Sequence, residues 1–263
     1  SSLPRYVTSP RHKDALDFYE QVRSNVGALL SYDIETPWSS EVTEDKLFEE
    51  EEEQALEADY NDAEITTVQF SLARGTGICL PFIAPFVDVI RKVLAEKNEK
   101  VTHNGWRFDN PRLHKAGIQV KGVVHDTMWA FHHLQPDLVG HFNLQSVASF
   151  YDFPFPWKHL SKSEPGFYGC ADVDSLQYIW PKLKGQMREK GVWHGYERQV
   201  LGLEPILVGM SRRGIPVDNT ARLDLGEVLE KQHTGYGEEM QGMVPQELLN
   251  CTPKAGYKRT PKD

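Results

Sequence analysis

The chain has 263 residues, of which 40% are hydrophobic and 25% are charged, the balance of an ordinary globular protein. It contains no apolar run long enough to span a bilayer, and its N-terminus lacks the core of a signal peptide. The cysteines are far apart and match no zinc-binding spacing. We therefore expect no membrane association and a cytoplasmic, reducing environment in which the thiols stay free, namely Cys79, Cys170 and Cys251.

The net charge of −9 comes from one part of the sequence. Residues 41–64 contain twelve acidic residues and one lysine, so the remainder of the chain is close to neutral. Overall charge governs solubility and non-specific association, and here it does not exclude a nucleic-acid partner. Five consecutive glutamates repel one another and bury nothing, so we predict a mobile acidic insertion over 41–64.

The first half of the chain predicts strands followed by a helix. Residues 1–26 are interpreted as a lead-in, and an alternating pattern predicts a strand over 27–35. Two strand-like runs, 65–73 and 77–82, flank a short turn and predict a hairpin. Apolar residues at helical spacing predict a helix over 85–97.

The second half is mainly helical. Residues 100–103 predict a short strand that enters a helix at Asn104, and Asp218 is a plausible N-cap for a last helix before a linker-like tail from Pro245. Further helical patterns lie at 126–134, 143–151, 172–190 and 193–212. Strands followed by interleaved helices predict an α/β domain over 27–218, with a mixed β-sheet flanked by helices, and a C-terminal helix and tail over 219–263.

Three short motifs carry acidic residues that folding does not require. In the first, Asp33 and Glu35 are two apart on a predicted strand, so both carboxylates point to one face. Such a pair repels itself unless a cation lies between the two groups, and hard oxygen ligands suit Mg²⁺ or Mn²⁺. Two solvated acids beside a loop are the simpler explanation of this motif taken alone.

The second motif runs from Asn104 to Asp109, and the third contains Tyr168 and Asp172. Asn104 at a strand-to-helix junction fits a helix N-cap, and Asp109 fits a surface acid. The spacing of Tyr168 and Asp172 places a phenol and a carboxylate on one helix face, where both can enter one cleft. A half-buried tyrosine beside an acid near a helix start is the plainer alternative.

Taken together and in this order, the motifs resemble the DEDD superfamily of 3′→5′ exonucleases. The Tyr-containing branch, and within it the proofreading domain of family A DNA polymerases, is most similar. The match covers about residues 27–218, and the segment Arg213–Asp218 is similar to that family's exit toward a polymerase module. The residues that match the family motifs are Asp33, Glu35, Asn104, Phe108, Asp109, Tyr168 and Asp172.

The resemblance implies an RNase H-like fold and two divalent metal ions, Mg²⁺ or Mn²⁺. It assigns one ion to Asp33, Glu35 and Asp172, and the other to Asp33 and Asp109. Tyr168 and Glu35 would orient the attacking water, and Asn104 would contact the terminal nucleotide. Glu35 and the backbone near Thr36 would hold the terminal 3′-hydroxyl. The expected activity is removal of 5′-mononucleotides from single-stranded DNA 3′ ends, in proofreading for a polymerase.

A single-strand groove needs cations and stacking rings. The candidates are Arg107, Arg112, Lys158, Lys162, Trp38, Phe155 and Trp157. The sequence departs from the family in its acidic insertion and at Ser39, where relatives often carry an apolar wedge. Both departures leave open how strands are separated.

Three other interpretations remain. The chain could be an RNA-trimming exonuclease of the same superfamily, or a catalytically silent module that binds single strands. Silent relatives lose metal ligands, whereas all four acids and Tyr168 are present here. A cation-binding acidic protein built around Glu49–Glu53 lacks the spacing of a calcium-binding loop.

Overall fold

The computed structural model describes residues 3–37, 64–138, 140 and 142–245. The predicted acidic insertion up to residue 63, Trp38, Ser39, Cys251 and the tail beyond residue 245 lie outside the described residues. The chain divides into two compact units, Ser1–Arg212 and Arg213–Asp263. Among the described helices, none is both long enough and apolar enough to cross a membrane.

One six-stranded sheet organises the first unit. Its strands are β1 (Arg5–Val7), β2 (Leu30–Glu35), β3 (Thr67–Ser71), β4 (Thr76–Pro81), β5 (Lys100–Thr102) and β6 (Val124–Asp126). Their order across the sheet is β1-β4-β3-β2-β5-β6. β3 is antiparallel to β2 and β4, whereas the pairs β1–β4, β2–β5 and β5–β6 are parallel. The predicted α/β fold with a mixed sheet is confirmed.

The helices follow the predicted order along the chain. They are α1 (His12–Ser24), α2 (Phe86–Ala95), α3 (Asp109–Lys115), α4 (Thr127–Leu134), α5 (Leu144–Ser149), a 3₁₀ helix (Lys158–Leu160), α6 (Pro165–Glu189), α7 (Trp193–Gly195), a π-helix (Tyr196–Leu201), α8 (Glu204–Arg213) and α9 (Asn219–Gly242). The predicted cap of α9 is present, because the Asp218 carboxylate accepts hydrogen bonds from the backbone of Thr220 and Ala221.

Alternation along β2 divides the core between the two faces of the sheet. Leu30, Tyr32 and Ile34 are buried on one face with the apolar stripe of α2 and with α1. Ser31 faces the other way, where its hydroxyl donates to the Val173 carbonyl of α6. β2 is therefore covered by helices on both faces, and its polar side faces α6.

The segment 1–26, for which the sequence predicted no element, contains both β1 and α1. β1 pairs with β4 at the edge of the sheet, and the Tyr6 hydroxyl donates to Asp174 of α6 across 2.7 Å. Three residues are too short to stand out from a sequence pattern. The helix α1 was missed because its mean character is polar, with only Ala15 and Val22 fully buried.

The long helix α6 lies very close to the sheet. A Cβ atom at Gly169 would lie 2.7 Å from the Gln69 side chain, and one at Gly77 would lie 2.8 Å from Cys170 Cβ. The Gln177 amide completes the attachment by donating to the carbonyls of Leu29 and Ser71 and to the Ser31 hydroxyl, so that strands β2 and β3 are tied to one helix.

Two predicted helices differ from the structure. The helix expected to start at Asn104 begins at Asp109, because 103–108 form turns in which Asn104 has a φ of 56°. Asn104 is therefore not a helix N-cap. The helix expected over 193–212 is divided into α7, a π-helical turn and α8, which apolar periodicity alone could not reveal.

Candidate active site

Strand β2 places two carboxylates on the side of the sheet that faces α6. Asp33 pairs with Gln69 of β3 and Glu35 pairs with Thr67, so both side chains project from the same face of a central strand. Both are half-buried. A central strand has partners on both sides, which fixes the spacing of the two carboxylates before any ligand arrives.

Helix α6 brings the third carboxylate to this pair. Tyr168 and Asp172 are one turn apart near its N-terminus, and Asp172 is only 3% exposed. Asp33, Glu35 and Asp172 each offer an oxygen atom, and these three atoms all lie within 4.8 Å of one another. Three hard oxygen donors at this separation suit a divalent cation such as Mg²⁺.

Asp109 reaches the same strand from the start of α3. Its Oδ1 accepts a hydrogen bond of 2.9 Å from the Ile34 backbone amide, between Asp33 and Glu35, and the side chain is 1% exposed. It is not one of the three residues whose oxygens lie within 4.8 Å of one another. The structure therefore brings all four predicted acids to β2, with three in one tight group and the fourth beside it.

The ionised acids are unfavourable in this position. Burial, and then the carboxylate of Asp172, raises the pKa of Asp33 to about 8. Burial, followed by the charges of Asp33 and Asp172, raises the pKa of Glu35, and burial also raises the pKa of Asp172 and of Asp109. A cation placed among these groups would relieve both the desolvation and the repulsion.

Two consecutive residues contact Asp172 from the segment before α6. The Trp157 indole N–H and the Lys158 ammonium both approach Asp172 Oδ1, the latter at 3.4 Å. Lys158 also donates to the Tyr168 hydroxyl across 2.7 Å. Sequence reasoning placed both residues in a strand-binding groove, but Trp157 is 2% exposed and cannot stack on a base.

The turn that carries Asn104 is held by a residue that the sequence analysis did not single out. Asp126, at the end of β6, accepts hydrogen bonds from the backbone amides of Asn104, Trp106 and Met128. Within the described residues, no donor reaches the buried Asn104 Oδ1. An acid at the end of a strand that also caps the next helix is a pattern that would have identified Asp126.

The remaining predicted contacts are spread over the molecule. Thr36 follows β2 directly and is half-buried. Arg107 is exposed and lies over the Trp129 ring, whereas Arg112 is 8% exposed and lies 3.8 Å from the centre of the Phe108 ring. Lys162 is exposed, and Phe155 packs against other aromatic rings. Trp38 and Ser39 lie outside the described residues.

Comparisons with known proteins give the fold its nearest parallels. No family model matches the chain. Among solved structures, Escherichia coli RNase D, described as an exoribonuclease involved in structured RNA processing, aligns with a TM-score of 0.55 and 14% identity over 82% of this chain and 52% of its own. Brucella melitensis NrnC bound to pGG aligns with a TM-score of 0.52 and 18% identity over 73% of this chain and 89% of its own.

A third structure contains DNA. The POL domain of Pol1 from M. smegmatis, in complex with a DNA primer-template and dNTP, aligns with a TM-score of 0.57 and 16% identity over 90% of this chain. The alignment covers 35% of that chain, so this sequence spans about a third of its length. At such identities the likeness establishes the fold, and the predicted RNase H-like architecture is confirmed.

Proposed function

We propose that the chain is a metal-dependent 3′→5′ exonuclease that releases 5′-mononucleotides from single-stranded DNA ends, in proofreading for a polymerase. The observation that carries the proposal is the cluster of Asp33, Glu35 and Asp172, whose oxygens lie within 4.8 Å of one another. Asp109 beside this cluster and Tyr168 on the same helix as Asp172 support it. The fold that the chain shares with RNase D and NrnC supports it as well.

The residues of the cluster fit divalent cations. All donors are carboxylates, and their pKa values are raised mainly by burial, which a cation would offset. Asp33, Glu35 and Asp172 would hold one Mg²⁺ or Mn²⁺ ion, and Asp33 with Asp109 would hold a second. When bound, such ions supply positive charge opposite the scissile phosphate and favour ionisation of water at neutral pH.

The protein's own groups would orient the substrate. Tyr168 and Glu35 would position the attacking water, and Glu35 with the backbone near Thr36 would hold the terminal 3′-hydroxyl. Asn104 has a buried side-chain oxygen that no described donor reaches, which suits a contact with the terminal nucleotide. Recognition of a free 3′-hydroxyl would restrict cleavage to strand ends.

The choice of DNA rests on the sequence of the exit segment Arg213–Asp218, which is similar to the link that precedes a polymerase module. A second candidate is an RNA-trimming exonuclease, favoured by the alignment with RNase D, an exoribonuclease. Both candidates use the same carboxylates, so only the substrate distinguishes them.

A strand-shortening assay separates the candidates. DNA and RNA strands of one sequence, labelled at the 5′ end, are incubated with Mg²⁺, Mn²⁺ or EDTA, and matched strands carry a 3′-phosphate. We expect stepwise shortening of DNA from a free 3′-hydroxyl, with metal and not with EDTA. Faster shortening of RNA would favour RNA trimming, and strands that stay intact with either metal would contradict a nuclease function.

A further inference from the structure

Lys158 joins the two side chains that α6 contributes to the candidate site. Its Nζ lies 2.7 Å from the Tyr168 hydroxyl oxygen and 3.4 Å from Asp172 Oδ1. The ammonium group also lies 4.8 Å from the centre of the Tyr168 ring. One cation is therefore in contact with both the phenol and the carboxylate.

The hydrogen bond between Lys158 and Tyr168 has only one possible direction. An ammonium group carries donors and no acceptor, so Lys158 donates and the phenol oxygen accepts. The single phenol proton cannot point toward Lys158 and must serve another acceptor. Burial, with the charge of Asp172 as the next cause, holds the pKa of Tyr168 well above its usual value, so this proton stays in place at neutral pH.

The position of Lys158 is fixed by the residue before it. The Trp157 indole N–H donates to Asp172 Oδ1, and the ring packs edge-on against Phe153 with a centroid distance of 4.7 Å. Trp157 is buried, whereas the Lys158 side chain is 27% exposed. A buried anchor next to a partly exposed cation holds the ammonium group at the edge of the site.

We propose that Lys158 is a positioning residue that acts through Tyr168, fixing the phenol as a hydrogen-bond donor toward the carboxylate side of the site. Glu35 and Asp172 are close enough to act on the phenol from that side. This inference rests on the proposed function and deepens it. It assigns Lys158 to turnover, in contrast to the role in strand binding that its charge alone indicated.

The test compares Lys158→Met in the natural chain and in a Tyr168→Phe background, with kcat and KM measured on single-stranded DNA in Mg²⁺. If Lys158 acts through the phenol, Lys158→Met lowers kcat by about 10- to 100-fold in the natural background and by less than about threefold in the Tyr168→Phe background, as expected for coupled neighbours. KM for the strand stays within about twofold of the natural value, because no contact with ground-state DNA is lost.

Two further variants separate positioning from a structural role. Lys158→Arg keeps the charge and the donors, and we expect it to recover most of the lost kcat. Lys13→Met, at an exposed position of α1, makes the same change in net charge and leaves kcat unaltered. Melting temperatures of all variants, with Lys158→Gln as a second neutral variant, check that each chain is folded.

Several outcomes would overturn the assignment while leaving the nuclease function intact. These are an unchanged kcat in Lys158→Met, an equal loss in both backgrounds, or a raised KM with normal kcat, which would make Lys158 a strand-binding cation. A natural chain that hydrolyses no strand would instead overturn the proposed function, and this inference with it.

Discussion

At the scale of single residues, the candidate site is a set of acids that folding alone does not favour. The pKa of Asp33 is raised to about 8, mainly by burial, whereas the unfolded chain releases this proton near pH 4. Between these values the folded state binds more protons than the unfolded state, so its stability falls as pH rises. The contribution of Asp33 to this loss is complete above about pH 8.

Replacing Asp33 with Asn should therefore stabilise the protein in EDTA at pH 8. We expect the melting temperature to rise by about 2–4 °C, which corresponds to ~1 kcal/mol for a domain of this size. The gain should vanish near pH 4, where the carboxyl group is protonated in both states. Thermal melts of the two proteins across this pH range test the expectation, and a variant that melts lower than the natural chain at pH 8 would contradict it.

Tyr168 should matter less to turnover than the carboxylates do. Replacement by Phe removes one hydroxyl that orients water, and we expect hydrolysis to slow by about one to three powers of ten without stopping, within the range of a positioned acid–base group. Turnover with saturating Mg²⁺ and Mn²⁺ binding are measured together. Loss of Mn²⁺ binding in this variant would show that the phenol has a different role.

The motif residues could be identified from the sequence because acids at spacings of two and four define faces of a strand and a helix. Asp33 with Glu35, and Tyr168 with Asp172, accordingly lie where those spacings direct them. The bonds of Trp157 and Lys158 to Asp172 could not be foreseen, because an irregular segment has no periodicity that fixes the direction of its side chains. The burial of Arg112 beneath Phe108 escaped prediction for the same reason.

At the scale of elements, the distance between α6 and the sheet sets the geometry of the site. Tyr168 and Asp172 flank Gly169, and a methyl group there would lie 2.7 Å from Gln69, the partner of Asp33 across the β2–β3 ladder. Such overpacking costs about 1–3 kcal/mol and displaces packed elements. A small displacement of α6 would move one carboxylate of the cluster relative to the other two.

We therefore expect Gly169→Ala to lower both stability and turnover. Gly185→Ala on the same helix is the matched control, because nothing lies within 4 Å of its added Cβ atom. The control should gain about 0.5–1 kcal/mol, since alanine is the better residue in a helix interior. Unfolding in denaturant and hydrolysis with Mg²⁺ are measured for both variants. Equal behaviour of the two would rule out close packing at Gly169 as the determinant of the site.

Most elements could be predicted because their apolar residues recur with the period of a helix or a strand. The stripe of α2 and the hairpin β3–β4 are examples. The turn at Asn104 could not, because its conformation depends on Asp126, a residue 22 positions away that binds two of its backbone amides. Long-range hydrogen bonds of this kind override local preferences for a helix.

At the scale of the whole molecule, every described residue assigned to the candidate site lies in the unit Ser1–Arg212. We therefore expect a chain that ends after Gly214 to fold and to hydrolyse strands at a rate within about threefold of that of the full sequence, a difference below ~1 kcal/mol in transition-state stabilisation. Circular dichroism and the strand-shortening assay test this directly. A folded but inactive truncation would mean that residues beyond 214 contribute to turnover.

The central claim is that the carboxylate cluster supports metal-dependent removal of nucleotides from 3′ ends. Its most direct test is the release of mononucleotides from single-stranded DNA by the natural chain and by Asp172→Ala, with Mg²⁺ and with EDTA. We predict 5′-mononucleotides only from the natural chain with Mg²⁺, while circular dichroism shows both proteins folded. Normal release by Asp172→Ala, or by the natural chain in EDTA, would contradict the account.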